Sequence, residues 1–183
     1  PLRWKKPRRV FVCSMTDLFE ERVPDEWIMR IFGVMTKADG HTFQVLTKRA
    51  DRMKQVMRSW LAPSESWIKN VWLGVSVEDQ ERANERLPFL LETRAAVRFV
   101  SYEPALGPVD FRPYFSICDS DNCPHTLYDC RTGDTMIDWV IVGGESGPGA
   151  RPCDLAWVRS VRDQCRAAGV ACFVKQVGRA PVG

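Results

Sequence analysis

Six short apolar runs with helical patterns between them constrain this fold more than any other feature of the chain. They are 9-RVFVC-13, 42-TFQVLT-47, 71-VWLGVSV-77, 97-VRFVSY-102, 138-DWVIVG-143 and 170-VACFVKQ-176. Each is nearly continuous in apolar and β-branched residues rather than alternating, the pattern of parallel strands covered on both faces. Between them, residues 24–37 place Trp27, Ile28, Ile31, Phe32 and Met35 at helical spacing, and Pro24 with Asp25 suits a helix start. Residues 49–60 repeat that spacing with Met53, Val56, Met57 and Trp60. The segment 78–93 is helical in pattern but contains Pro88, which predicts two pieces or a kink. A last helix over 154–168 has Asp154 as N-cap, a stripe of Val158, Val161, Cys165 and Ala168, and Gly169 at its C-cap.

Strand and helix in steady alternation mean right-handed βαβ units and a parallel sheet. No GxGxxG follows the first run, which ends in 13-CSMTD-17, so a dinucleotide-binding domain fits poorly. The pattern predicts an α/β fold, a partial (β/α) TIM-type barrel of mostly parallel strands, with 1–183 as a single domain. Residues 112–137 depart from it. Rich in Pro, Asp, Asn and Thr, with three cysteines and no helical period, they read as an inserted loop or small knuckle.

Composition removes several function classes. A 45% hydrophobic content with 27% charge describes a globular chain, not a disordered one, and a net charge of +3 makes no global demand for nucleic acid. The one basic run, 3-RWKKPRR-9, reads as a solvated lead-in to the first strand, with a nucleic-acid arm as the alternative. No apolar stretch approaches the roughly 20 residues needed to span a bilayer, and no charged-then-apolar leader is present, so no membrane partner is expected. Of seven cysteines, Cys13, Cys153, Cys165 and Cys172 lie in or beside apolar runs, which favours reduced thiols and a cytoplasmic location. The start at Pro1 predicts an N-terminally truncated chain.

In parallel α/β folds ligands gather at the carboxyl ends of the strands. Those ends supply Ser14, Thr16 and Asp17; Thr47, Lys48 and Arg49; Ser76, Glu78 and Asp79; Ser101 and Glu103; Gly143, Gly144, Glu145 and Ser146; and Lys175 with Gln176. Helix capping explains some single members, such as Asp17, Asp79 and Ser146. The set together describes a binding mouth whose mixed lysines and glutamates suit a zwitterionic or phosphate-bearing small molecule. Its glycine-rich member, 143-GGESGPGARP-152, lets backbone amides approach a ligand, and Glu145 can accept from an ammonium or a ribose hydroxyl. Cys118, Cys123, His125 and Cys130, spaced C-x4-C-x-H-x4-C, can form a tetrahedral zinc site, although the spacing matches no common knuckle and a metal-free loop is the other reading. No three cysteines show C-x3-C-x2-C spacing.

The blocks 10-VFVCSMTDLFEERVPDEWI-28, 45-VLTKRADRM-53, 71-VWLGVSVEDQ-80, 100-VSYEPALGPVD-110, 139-WVIVGGESGPGARP-152 and 173-FVKQVG-178 together span nearly the whole chain. In that order they resemble the phage gene-product-37/gene-product-68 family of uncharacterised proteins. The resemblance implies a phage or prophage protein of radical S-adenosylmethionine type, in which three cysteines ahead of the barrel hold a [4Fe–4S] cluster. It implies S-adenosylmethionine and the cluster only for a full-length form, so that this chain alone would be inactive. Gly143, Gly144, Glu145, Ser146, Ser101 and Glu103 would then line the cofactor or substrate side, with Lys48 and Lys175 as charge partners. The GGE tripeptide resembles a motif that binds the methionine amino group in such enzymes. There it follows an early strand and here the fifth, so that role is not carried over. The alternative is a non-catalytic barrel scaffold that binds nucleic acid or a partner in phage biology.

Overall fold

The computed structural model describes residues 1–60, 68–115 and 137–183, with nothing said of the Trp60 side chain. All six apolar runs are strands: β1 (Arg9–Val12), β2 (Thr42–Thr47), β3 (Val71–Ser76), β4 (Val97–Tyr102), β5 (Trp139–Gly143) and, after a two-residue β6 (Cys153–Asp154), β7 (Ala171–Gln176). They form one sheet in the order β1-β2-β3-β4-β5-β7, and every pairing is parallel. Right-handed crossovers between strands laid down in sequential order put every connecting helix on the same side of the sheet. A sheet covered on one side only curls, and this one forms a half-barrel, the partial TIM-type barrel that the pattern predicts.

The covering helices are α1 (Asp25–Lys37), α2 (Ala50–Trp60), α3 (Gln80–Leu91) and α5 (Leu155–Ala168); a single turn, α4 (Arg112–Phe115), follows β4. Under them lies the core. Val45, Leu73, Val75, Val100, Val140 and Val142 point from the strands into Ile28, Phe32, Met53, Val56, Leu87 and Val161 of the helices, all buried. Asp79 and Asp154 cap α3 and α5 by accepting from the amides of Arg82 (2.8 Å) and Ala156 (2.7 Å), and Gly169 closes α5 at φ 69°.

Two expectations need correction. Pro88 does not split its segment: α3 runs unbroken to Leu91, because the proline removes one ladder bond, that to the Asn84 carbonyl, and the turn after it is still closed by the Glu92 amide on the Pro88 carbonyl (3.1 Å). Trp27 lies off the buried stripe of α1 and is 55% exposed, while Ile28, Phe32 and Met35 hold that stripe. Of the segment read as an insertion, 112–137, the described part is the helical turn α4, whose Phe115 stacks on Phe111, and Ile137. Cys118, Cys123, His125 and Cys130 lie outside the described residues.

Candidate functional site

The face of the sheet away from the helices decides what the fold offers. Register aligns Leu46, Gly74, Phe99 and Trp139 across four strands. The Phe99 ring lies over Gly74 so closely that a Cβ there would stand 2.6 Å from it. Trp139 packs on both Phe99 and Trp72, with centroids 6.0 Å apart in each pair. The concave floor is therefore aromatic, and Phe11 and Phe173, on the outermost strands, extend it as exposed rings.

Two residues further along, the same face becomes polar. Ser76 pairs in register with Ser101, both nearly buried, and each is followed at the second position by a glutamate, Glu78 and Glu103. Strand alternation carries both carboxylates to the mouth. Each is met by a lysine from another strand end, Lys48 from the adjacent β2 and Lys175 from β7, on the far side of β5: Lys48 Nζ lies 2.6 Å from Glu78 Oε1, and Lys175 Nζ lies 3.3 Å from Glu103 Oε1. Ser101 Oγ donates to Glu103 Oε2 at 3.2 Å. Gly143 is the floor beneath Glu103, since any Cβ there would overlap the carboxylate. Glu78 has a second cation behind it: buried Arg86 of α3 donates to Glu78 Oε2 (3.0 Å) and to the Ser76 carbonyl (2.8 Å). Two carboxylates facing three cations (Lys48, Arg86, Lys175) leave this cluster one positive charge in excess.

Other predicted site residues serve the framework. Asp17 accepts from Thr47 Oγ1 (2.8 Å), the Lys48 amide (3.0 Å) and the Phe19 amide (2.9 Å), fastening the loop after β1 to the end of β2. Glu145 is held by Arg151, which donates Nη2 (2.9 Å), Nε (3.0 Å) and its own amide (2.9 Å). Those Arg151 hydrogen bonds keep the carboxyl pKa down at about 2. Gly144 packs so closely on Val177 that a side chain would strike its carbonyl, and the Arg179 amide donates to Glu145 O (2.9 Å). Residues 143–151 are thus a closed rim loop, with Ser146 exposed on it. Tyr102, behind the sheet, donates to the Gly107 carbonyl, and burial pushes its pKa upward.

Sequence reasoning missed Arg86. The signal was there: it falls within the buried stripe Ala83, Leu87 and Leu90, where a guanidinium needs a carboxylate. The repeated Ser-x-Glu at the ends of β3 and β4 was also legible as a pair, beyond its separate members. A cavity of about 460 Å³ lies elsewhere, between the loop after β1 and α2, lined by Glu21, Asp25, Arg49, Arg52 and their neighbours. Arg52 is spent there on Asp25 and on loop carbonyls, and of the strand-end residues only Arg49 lines it, so the chemistry points to the mouth instead.

Sequence comparison agrees with this architecture in extent. A family described as protein of unknown function (DUF5131) matches residues 1–182. The chain belongs to this family. No curated protein and no solved structure matches the chain of this DUF5131 member. Among its described residues no helix is long and apolar enough to cross a membrane, and no three His, Cys, Asp or Glu gather as metal ligands.

Proposed function

We propose that the mouth of the half-barrel binds a small zwitterion and that this ligand is S-adenosylmethionine. The observation that carries the reading is the cluster Lys48–Glu78 and Glu103–Lys175 set over two buried serines, with an excess positive charge and an aromatic floor beneath. An ammonium is received by the carboxylates, a carboxylate by the lysines, and a flat apolar body by Trp72 and Trp139. S-adenosylmethionine has all three parts, and the resemblance to the phage gene-product-37/gene-product-68 proteins supports choosing it. Gly143 and Gly144 bring the rim close, while Glu145, engaged with Arg151, shapes the loop and leaves the ligand to Glu78 and Glu103.

The radical chemistry that this resemblance implies needs a [4Fe–4S] cluster. Cys165 and Cys172 lie side by side as a pair, but no set of three ligands stands among the described residues, so no step is assigned to a cluster on them. What these residues do is bind and orient. Isothermal calorimetry with S-adenosylmethionine, S-adenosylhomocysteine and ATP tests the reading. Expected are a measurable affinity for the first and a loss of about tenfold or more, ~1.4 kcal/mol, in each of Glu103→Gln and Lys175→Met. No binding at millimolar ligand, or binding indifferent to both variants, overturns it.

A further inference from the structure

The end of the sheet opposite the mouth, where the strands begin, has a different chemistry. Residues 1–9 are exposed throughout, and the first acid of the chain is Asp17. Five cations, Arg3, Lys5, Lys6, Arg8 and Arg9, fall in this stretch, and none forms an ion pair among the described residues. A solvated lead-in needs no fixed shape, yet this one has it. The Thr42 amide donates to the Arg8 carbonyl (2.9 Å), and the Trp4 amide donates to that of Pro1 (2.9 Å). The Trp4 ring meets His41 edge-on at 5.4 Å, and buried His41 rests in turn on Phe43 and places Nε2 3.2 Å from the Pro1 carbonyl. Beneath them, Asn70 donates to the carbonyls of Met35, Ala38 and His41, tying the end of α1 to the entries of β2 and β3. Arg8 lies over Trp4 at 5.1 Å from the ring centroid, and Trp4 remains 43% exposed. Lys69, in the turn before β3, adds an exposed cation at the same end, and Asp39 is an exposed acid among the described residues there.

Like charges held together beside a positioned indole repel one another until an anion arrives. Phosphodiester neutralises such a row, and an unpaired base stacks on an exposed aromatic ring. We infer that the amino-terminal end of the half-barrel binds single-stranded nucleic acid, the cations on the backbone and Trp4 under a base. This surface is independent of the mouth, so Glu103→Gln leaves it intact.

Fluorescence anisotropy of a labelled 20-nucleotide oligothymidine, alone and annealed to its complement, tests the inference on the full chain between 50 and 200 mM salt. Five neutralised phosphates give a log–log salt slope of about −3.5 for the single strand, roughly a 100-fold loss of affinity over that range. The triple variant Arg3→Ser, Lys5→Ser, Lys6→Ser lowers the slope by about 2. Trp4→Ala keeps the slope but weakens single-strand binding about tenfold and duplex binding much less. Both variants change exposed residues ahead of β1, and their circular dichroism should match the parent. Absence of binding at 50 mM salt, an unchanged slope in the triple variant, or equal loss on single strand and duplex in Trp4→Ala would sink the inference. So would preference for phosphatidylserine vesicles over the oligonucleotide.

Discussion

At the scale of single residues, Gly74 is a glycine because Phe99 fills the space its side chain would take. Phe99 cannot yield easily, being 1% exposed and packed on Trp139. Gly74→Ala is therefore expected to destabilise the protein by about 1–3 kcal/mol through overpacking, read as a lowered urea midpoint. Adding Phe99→Leu should return part of that loss, and additive losses in the double variant would show that the two positions do not share this space. A glycine in an apolar run announces only a close approach; which ring approaches depends on the neighbouring strand, and that pairing is not written locally. Lys48, Glu78, Glu103 and Lys175 were legible for a simpler reason, since the first three stand directly after an apolar run and Lys175 at the polar end of one. Arg86 needed a further step, because its place on the stripe of Ala83, Leu87 and Leu90 says that it is buried but not which carboxylate it meets.

At the scale of elements, the strands were readable because helix-covered parallel strands are apolar along their length, and the helix ends because Asp154 and Gly169 act through local geometry. Loops were less so. The pattern 143-GGESGPGARP-152 advertises a binding surface, yet its acid closes on an arginine six residues away within the same loop. Glu145 is an acid whose folded pKa falls from 4.5 to about 2. The latch is thus fully made above about pH 4.5 and is lost as pH falls through about 2. Carboxyl-carbon nuclear magnetic resonance should find the Glu145 midpoint near that lower value. In Arg151→Ala the midpoint should return towards 4.5, and proteases should cut the 145–151 loop faster at pH 7. A parent midpoint already at the ordinary carboxylate value would mean that the latch does not form in solution.

At the scale of the whole molecule, alternation of strand and helix with a fixed crossover hand was enough to anticipate a curled parallel sheet. The division of that sheet into an aromatic floor, a charged mouth and a basic far end was not, because it depends on register between strands far apart in the chain. Strand order has its own consequence. Each of the six strands pairs only with its neighbours in the sheet, and the outermost, β1 and β7, carry exposed Phe11 and Phe173. Amide hydrogen exchange should be slowest in β3 and β4, the central pair of the sheet, and fastest in β1 and β7 at its edges. Uniform protection across all six would contradict that gradient. A sheet wired in chain order also needs no strand to wait for a later one to be threaded between it and its partner. During synthesis each new strand leaving the ribosome would find the edge it pairs with already in place, so the half-barrel can be assembled in the order in which it is translated.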